Sequence, residues 1–235
     1  MPSVLGGMDN AGVRLLFGMA VLSMAAVIGV LASSTVVNAT PEPGIPPLSP
    51  QARAAGFVDV RTVVPDAIVD LRYATADNFV GVQLYPADAR CLVHESLAPG
   101  LATAAAALRA QGSTLVFWDC YRPHEVQVRM FTVVPNPAWV AKPGPYSRSH
   151  ETGRSVDVTL AEGGRLVDMG TAFDDFSPRA TAYATEGVSA AAQANRSRLR
   201  NAMAAGGLTV YSGEWWHFDG PGAGVERAIL DVPVD

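Results

Sequence analysis

The sequence predicts an α+β domain, a small and mainly antiparallel sheet with helices packed on it. Three features carry this. Short apolar runs of strand length recur between Pro- and Gly-marked turns. Two longer, alanine-rich segments have helical length. Glu162-Gly163-Gly164 sits between two strand-like runs as a hairpin turn. The runs FVDVRTVV (57–64) and AIVDLRY (67–73) read as strands parted by Pro65-Asp66. Residues 74–90 lack a period and read as loop. Ser96 stands where an N-cap would open a helix to about Ala110, closed by Gly112. TLVFWD (114–119) is a continuous run suited to a buried strand. Pro123 suits the first turn of a helix over 123–133. Prolines at 135, 137, 143 and 145 make 135–149 a long loop. RSVDVTL (154–160) alternates as a strand, and RLVDM (165–169) pairs back across the hairpin turn. Residues 189–205, closed by Gly206-Gly207, give the strongest helix. LTVY (208–211) and EWWHF (214–218) read as the last strands.

Composition narrows the function. The chain has 235 residues, 49% of them hydrophobic, and a net charge of −5. That excludes an acidic disordered chain, which would be poor in apolar residues. No Lys/Arg stripe appears, so no nucleic-acid partner is expected. Two cysteines are too few for a Cys₄ zinc site or a disulfide-built mini-fold. Four histidines leave room for one metal site if other residue types help.

The first 39 residues read as a targeting segment. Residues 15–31 carry no charge, and Val37-Asn38-Ala39 fits a small-x-small cleavage pattern. The segment is a signal peptide or an uncleaved signal anchor, the apolar stretch being about long enough to span a bilayer. Either form implies export, and only the anchor would give membrane contact. Residues 40–56 hold prolines at 41, 43, 46, 47 and 50 and read as a stiff linker. The folded domain is expected over 57–235.

Three segments carry the residue types of hydrolytic chemistry. In SHETGRSVD (149–157), His150 ends a loop and Asp157 lies in the next strand, with Gly153 allowing a tight approach. One imidazole and one carboxylate suit zinc, although such a pair alone is common. In EWWH (214–217), His217 supplies a third ligand and Glu214 a carboxylate able to take a proton from an attacking water. On a regular strand, residues three apart face opposite ways. Glu214 must therefore lie in a bulge, a twisted strand or the turn before it. In WDCYRP (118–123), Arg122 follows a buried strand and is placed either to stabilise an oxyanion or to pair with Asp119.

Together with VDLRYATADNFVG (69–81), VDMGTAFDDF (167–176) and GLTVYSGEWWHF (207–218), these segments resemble the VanX-type D-alanyl-D-alanine dipeptidases of peptidase family M15. Those are zinc peptidases related to D,D-carboxypeptidases and to the hedgehog signalling domain. The resemblance implies that fold, one Zn²⁺ per chain on His150, Asp157 and His217, Glu214 as general base and Arg122 as the transition-state arginine. It implies hydrolysis of the D-Ala-D-Ala dipeptide in cell-wall peptide metabolism. Tyr73 and Asp174 match groups around the substrate's ammonium, where an anion offsets the cost of desolvating that charge. Ser149 joins them as a substrate-binding residue. Arg148 stands where the family often has Ser, so it should turn to solvent if a free amino group is to bind. Two other readings use the same residues: a D,D-carboxypeptidase acting on peptidoglycan stem peptides, and a zinc-stabilised cell-wall-binding module without catalysis. Glu214 argues against the module, because a structural zinc site needs no base.

Cys91 and Cys120 form a disulfide, which export permits, or remain two buried thiols. His94 and His124 bear no spacing relation to the ligand set and read as surface or helix-start residues. Trp215 and Trp216 read as one core and one pocket-wall residue.

Overall fold

The computed structural model describes residues 44–234. The expected targeting segment and the first residues of the linker lie outside them. In chain order the elements are α1 (Pro50–Ala54), β1 (Phe57–Asp59), β2 (Ile68–Val69), β3 (Leu92–His94), α2 (Ala98–Arg109) and β4 (Thr114–Asp119). Then come α3 (His124–Val133), β5 (Ser155–Glu162), β6 (Arg165–Leu166), α4 (Ala190–Ala205), β7 (Thr209–Val210) and β8 (His217–Asp219). Six strands form one mixed sheet in the order β2-β4-β5-β8-β7, with β6 paired to β5. The β2–β4 pair is parallel and the other pairs are antiparallel. β1 and β3 form a separate antiparallel pair. Among the described residues, no helix is long and apolar enough to cross a membrane.

β4 and β5 form the centre. All of β5 except Glu162 is buried, polar positions included. Its alternating sequence suggests one wet face, but a central strand of a covered sheet has none. α4 packs against α2, and their approach is glycine on glycine: a Cβ on Gly100 would lie 2.3 Å from the Gly206 carbonyl oxygen. The core runs through Leu101, Leu108, Val116, Val158, Leu199 and Phe218, each at most 1% exposed.

Several elements differ from the sequence expectation, each for a local reason. The linker ends in α1, where the Ser49 side chain accepts from the Ala52 N–H and Pro50 occupies the first helical turn. The Pro46 and Pro47 carbonyls accept from Arg90, so this part of the linker is docked rather than free. The first two expected strands are three and two residues long. Each gives way to a 3₁₀ turn; at the first, the Asp59 carboxylate accepts the Arg61 N–H and closes the turn. β3 has no counterpart in the expectation. α2 begins at Ala98, and Ser96 instead donates its own N–H to the His94 ring at the preceding 3₁₀ turn. The last strand begins at His217, not at Glu214.

Asp59 sits between Arg61 and Arg90 and is 1% exposed. Burial raises its pKa, but hydrogen bonds from Arg61 and Arg90 outweigh this and hold it below the usual value. Its stabilisation is therefore full above the unfolded carboxylate value near 4 and is lost as pH falls through the lower folded value. Asp59→Asn should cost about 3–5 kcal/mol at neutral pH by stranding Arg90. Urea melts at pH 7 and pH 3 should show the gap to wild type narrowing in acid.

Cys91 and Cys120 are joined by a disulfide, spanning 29 positions from the residue before β3 to the residue after β4. Cys91→Ser/Cys120→Ser should lose about 3–4 kcal/mol in the chain-entropy account, read as a fall in the urea midpoint.

Candidate active site

His150 lies in a 3₁₀ turn over Ser149–Thr152, entered at a left-handed Ser149 (φ 54°) and left through Gly153 (φ 63°). Gly153 is required twice over: its backbone is left-handed, and a Cβ there would lie 2.6 Å from the Phe57 ring. The turn points the His150 ring at β5. Asp157 of β5 and His217 of β8 are cross-strand partners, so strand register alone brings their side chains together. His150 Nε2, Asp157 Oδ1 and His217 Nδ1 form a triangle with edges of 3.1–3.2 Å. Tetrahedral ligands on bonds of about 2.0 Å stand about 3.3 Å apart, so the triangle fits a zinc-sized ion.

The remaining ring nitrogens fix what the triangle offers. His150 Nδ1 donates to the Cys120 carbonyl at 2.8 Å, leaving Nε2 with its lone pair inward. His217 Nε2 is 3.0 Å from Asp219 Oδ1. Burial lowers the pKa of His217, but bonds to Asp157 and Asp219 outweigh this and lift it to about 10. The carboxylates of Asp157 and Asp219 thus favour a positive charge among these groups, as a metal ion would supply. His150→Ala removes one corner of the triangle. The purified variant should contain less than a tenth of the metal bound by wild type, as read by elemental analysis.

Glu214 precedes β8 in the turn after β7, which removes the strand-face conflict and lets its carboxylate approach the same cluster. Its nearer oxygen is 3.9 Å from His217 Nδ1. Burial pushes its carboxyl up to about 7; His217 pulls downward and Asp157 adds to the rise. It is close to the triangle without belonging to it, and its raised pKa suits proton transfer near neutrality.

Arg122 pairs with Asp119, one of the two expectations made for it, and also reaches the edge of the triangle. Its Nε and Nη2 donate to Asp119 Oδ2 at 2.9 and 2.7 Å, and Nη1 donates to Gln127 at 2.7 Å. Yet Nη2 also stands 3.8 Å from Asp157 Oδ2, so the guanidinium reaches the triangle's edge. It lies over the Tyr73 ring, 5.5 Å from its centroid. The Tyr73 hydroxyl donates to Asp174 at 3.0 Å. Asp174 is held in a left-handed turn (φ 56°). Burial, helped by the Asp157 charge, pushes its carboxyl well above the usual range.

Ser149 lines the cleft, but its hydroxyl donates to Ser155, which donates to Asp219 behind His217. The structure places it in this support chain. Arg148 lines the cleft with 58% of its side chain exposed. Trp215 and Trp216 are both fully buried, since they precede the strand and do not alternate along it. Trp215 donates to Thr171, while Trp216 walls the cleft. His94 and His124 stay outside the triangle; His124 starts α3 and bonds Glu151 at 2.5 Å.

Three residues of the site were missed in the sequence. Tyr85 donates to Asp119 at 2.7 Å from a segment read only as loop. Gln127 lies one turn into α3, with no sequence signal of its own. Arg196 of α4 donates to the carbonyls of Met169, Arg179 and Thr181, tying down both ends of the loop that carries Asp174. A buried arginine on a helix face that otherwise reads as Ala and Leu was the available signal.

Water activated at a metal needs a base that is not itself a ligand, and a nearby donor for the developing anion. The cleft of about 360 Å³ holds both beside the triangle, which defines the class: a metal-dependent hydrolase. Similarity to known proteins narrows the class. The chain belongs to peptidase family M15, described as D-ala-D-ala dipeptidase, which it matches over residues 53–235. It is 38% identical over 176 residues to the D-alanyl-D-alanine dipeptidase of Escherichia coli (strain K12), covering 74% of this chain and 90% of that one. It is 31% identical over 205 residues to the D-alanyl-D-alanine dipeptidase of Enterococcus faecium, covering 76% and 98%. A Streptomyces coelicolor protein of the same name is 31% identical over 183 residues, covering 69% and 90%.

Proposed function

We propose that the chain hydrolyses D-alanyl-D-alanine to two molecules of D-alanine, with one zinc held by His150, Asp157 and His217 in a hedgehog/D,D-peptidase-like fold. The observation that carries the reading is the juxtaposition of the donor triangle, a non-ligating Glu214 and the cation-seeking Asp174–Tyr73 pair in one cleft. Zinc, when bound, would polarise the peptide carbonyl and lower the pKa of water. Glu214 takes the proton from the attacking water and delivers it to the amine of the leaving D-alanine. Arg122 donates to the oxygen on which charge develops, without moving from the grip of Asp119 and Gln127. Asp174 and Tyr73 hold the substrate's ammonium. The balance is one water consumed and one peptide bond broken.

The Tyr73–Asp174 pair beside the donor triangle favours a free ammonium, and so the free dipeptide over an N-blocked stem peptide. Turnover of D-Ala-D-Ala and of its N-acetyl derivative tests this. The free dipeptide should be cleaved and the blocked one rejected. Faster cleavage of the blocked substrate would establish a carboxypeptidase. A zinc-loaded protein inert on both would point to a binding module. We further propose that the domain works outside the cytoplasm. The uncharged stretch 15–31 precedes the family match, and the Cys91–Cys120 disulfide suits an oxidising compartment.

A further inference from the structure

We infer that Asp219 is a positioning residue for the metal: it fixes the His217 ring with Nδ1 in the donor triangle and sets how tightly the triangle holds its ion. The inference rests on the reading above that a zinc ion occupies the triangle.

Strand register places the groups. His217 and Asp219 are two apart on β8, and Ser155 and Asp157 are two apart on β5, so each pair shares a face of the sheet. Asp157 is the cross-strand partner of His217, and Ser155 is the partner of Asp219. The four side chains form two neighbouring rungs, one of metal donors and one behind it. Asp219 also pairs with Thr209 of β7, so its backbone is held from both sides.

Hydrogen bonds run along the second rung to the ring. Ser149 Oγ donates to Ser155 Oγ at 2.9 Å, and Ser155 donates to Asp219 Oδ1 at 2.5 Å. The same Oδ1 is 3.0 Å from His217 Nε2. An ionised carboxylate only accepts, so Nε2 carries the hydrogen and Nδ1 is the nitrogen left for a metal. A ring turned over by half a turn would put carbon in both places and lose both contacts.

The two histidines are supported differently. Behind His150 stands a neutral group, the Cys120 carbonyl. Behind His217 stands a full negative charge, which makes its ring the stronger donor to a cation. Among the described residues, the only ion-pair partner of Asp219 is His217, so no lysine or arginine diverts that charge. The Asp219 side chain is 40% exposed, so its removal leaves no buried hole.

The test is the zinc dissociation constant of metal-free protein, read by competition with a chromogenic chelator. Asp219→Ala should raise it about 10–100-fold. Asp219→Asn is isosteric and keeps an acceptor oxygen without the charge, so it should fall between Asp219→Ala and wild type. Ser155→Ala frees the carboxylate on one side and should raise the constant about two- to tenfold. Glu226→Ala removes an exposed carboxylate from the same cleft and should change it less than about twofold, since solvent screens that charge. The urea midpoint of the metal-free Asp219 variants should stay close to wild type. A lowered midpoint with zinc affinity unchanged in both Asp219 variants would overturn the inference, leaving Asp219 a part of the fold alone. An equal loss of affinity in Glu226→Ala would also overturn it, by assigning the effect to the net charge of the cleft. A wild type that binds no zinc would instead overturn the parent reading.

Discussion

Glu214→Gln should bind its full complement of metal and lose at least about 10³-fold in kcat, with KM little changed. The geometry separates the two properties. The nearer Glu214 oxygen lies 3.9 Å from His217 Nδ1, whereas the three donors lie within 3.2 Å of one another. Glutamine preserves the volume of a buried side chain and removes its capacity to accept a proton. Proton transfer by a positioned group contributes about 10²–10⁴-fold, and here one group serves both the attacking water and the leaving amine. The expected loss therefore lies in the upper part of that range. Metal content by elemental analysis and kcat on D-Ala-D-Ala decide it. Wild-type turnover in this variant would remove Glu214 from the mechanism; loss of the metal would show that it is a ligand.

The donors were legible in the sequence because their residue types are rare and their neighbours are informative. His150 sits between loop and strand, Asp157 within an alternating run, and His217 in a tryptophan-rich terminal segment. The conflict between Glu214 and His217 on one strand called for a bulge, a twist or a turn at Glu214, and the late start of β8 selects the turn. What could not be read depended on partners distant in the chain. Tyr85 belongs to the site only because Asp119 lies 34 positions away in sequence and 2.7 Å away in space. Ser149 lines the cleft, and its hydroxyl chain through Ser155 to Asp219 depends on strand pairing that no spacing announces. The first strands were overread because β-branched residues dominate 57–64, while Asp59 closes a turn through one side-chain hydrogen bond. Periodicity reports burial, and it fails where both faces are covered, as in β5.

Asp119→Asn should be nearly as damaging as loss of the base, through a residue that touches no substrate. The Asp119 carboxylate is fully buried and serves four donors. Arg122 gives two hydrogen bonds to Oδ2; the Tyr85 hydroxyl and the Cys120 N–H bond Oδ1. Arg122 is itself 9% exposed. Burial alone would lower its pKa, and the Asp119 charge is the largest influence holding it up. Removing that charge strands a buried guanidinium, which costs about 3–5 kcal/mol of the 5–15 kcal/mol that typically holds a domain folded. Asp157 is the next carboxylate within reach, 3.8 Å from Arg122 Nη2. A guanidinium drawn toward it would compete with the metal for the same anion. Three readings should therefore move together: a lower urea midpoint, weaker metal retention on dialysis, and kcat reduced about 10²–10³-fold even at saturating zinc. Gln127→Ala is the contrast, because it removes one neutral hydrogen bond and leaves the charges balanced. It should cost about 1 kcal/mol in stability and less than tenfold in kcat. If Asp119→Asn matched Gln127→Ala in all three readings, the oxyanion role of Arg122 would not depend on its buried partner, and the argument for a preorganised arginine would fail.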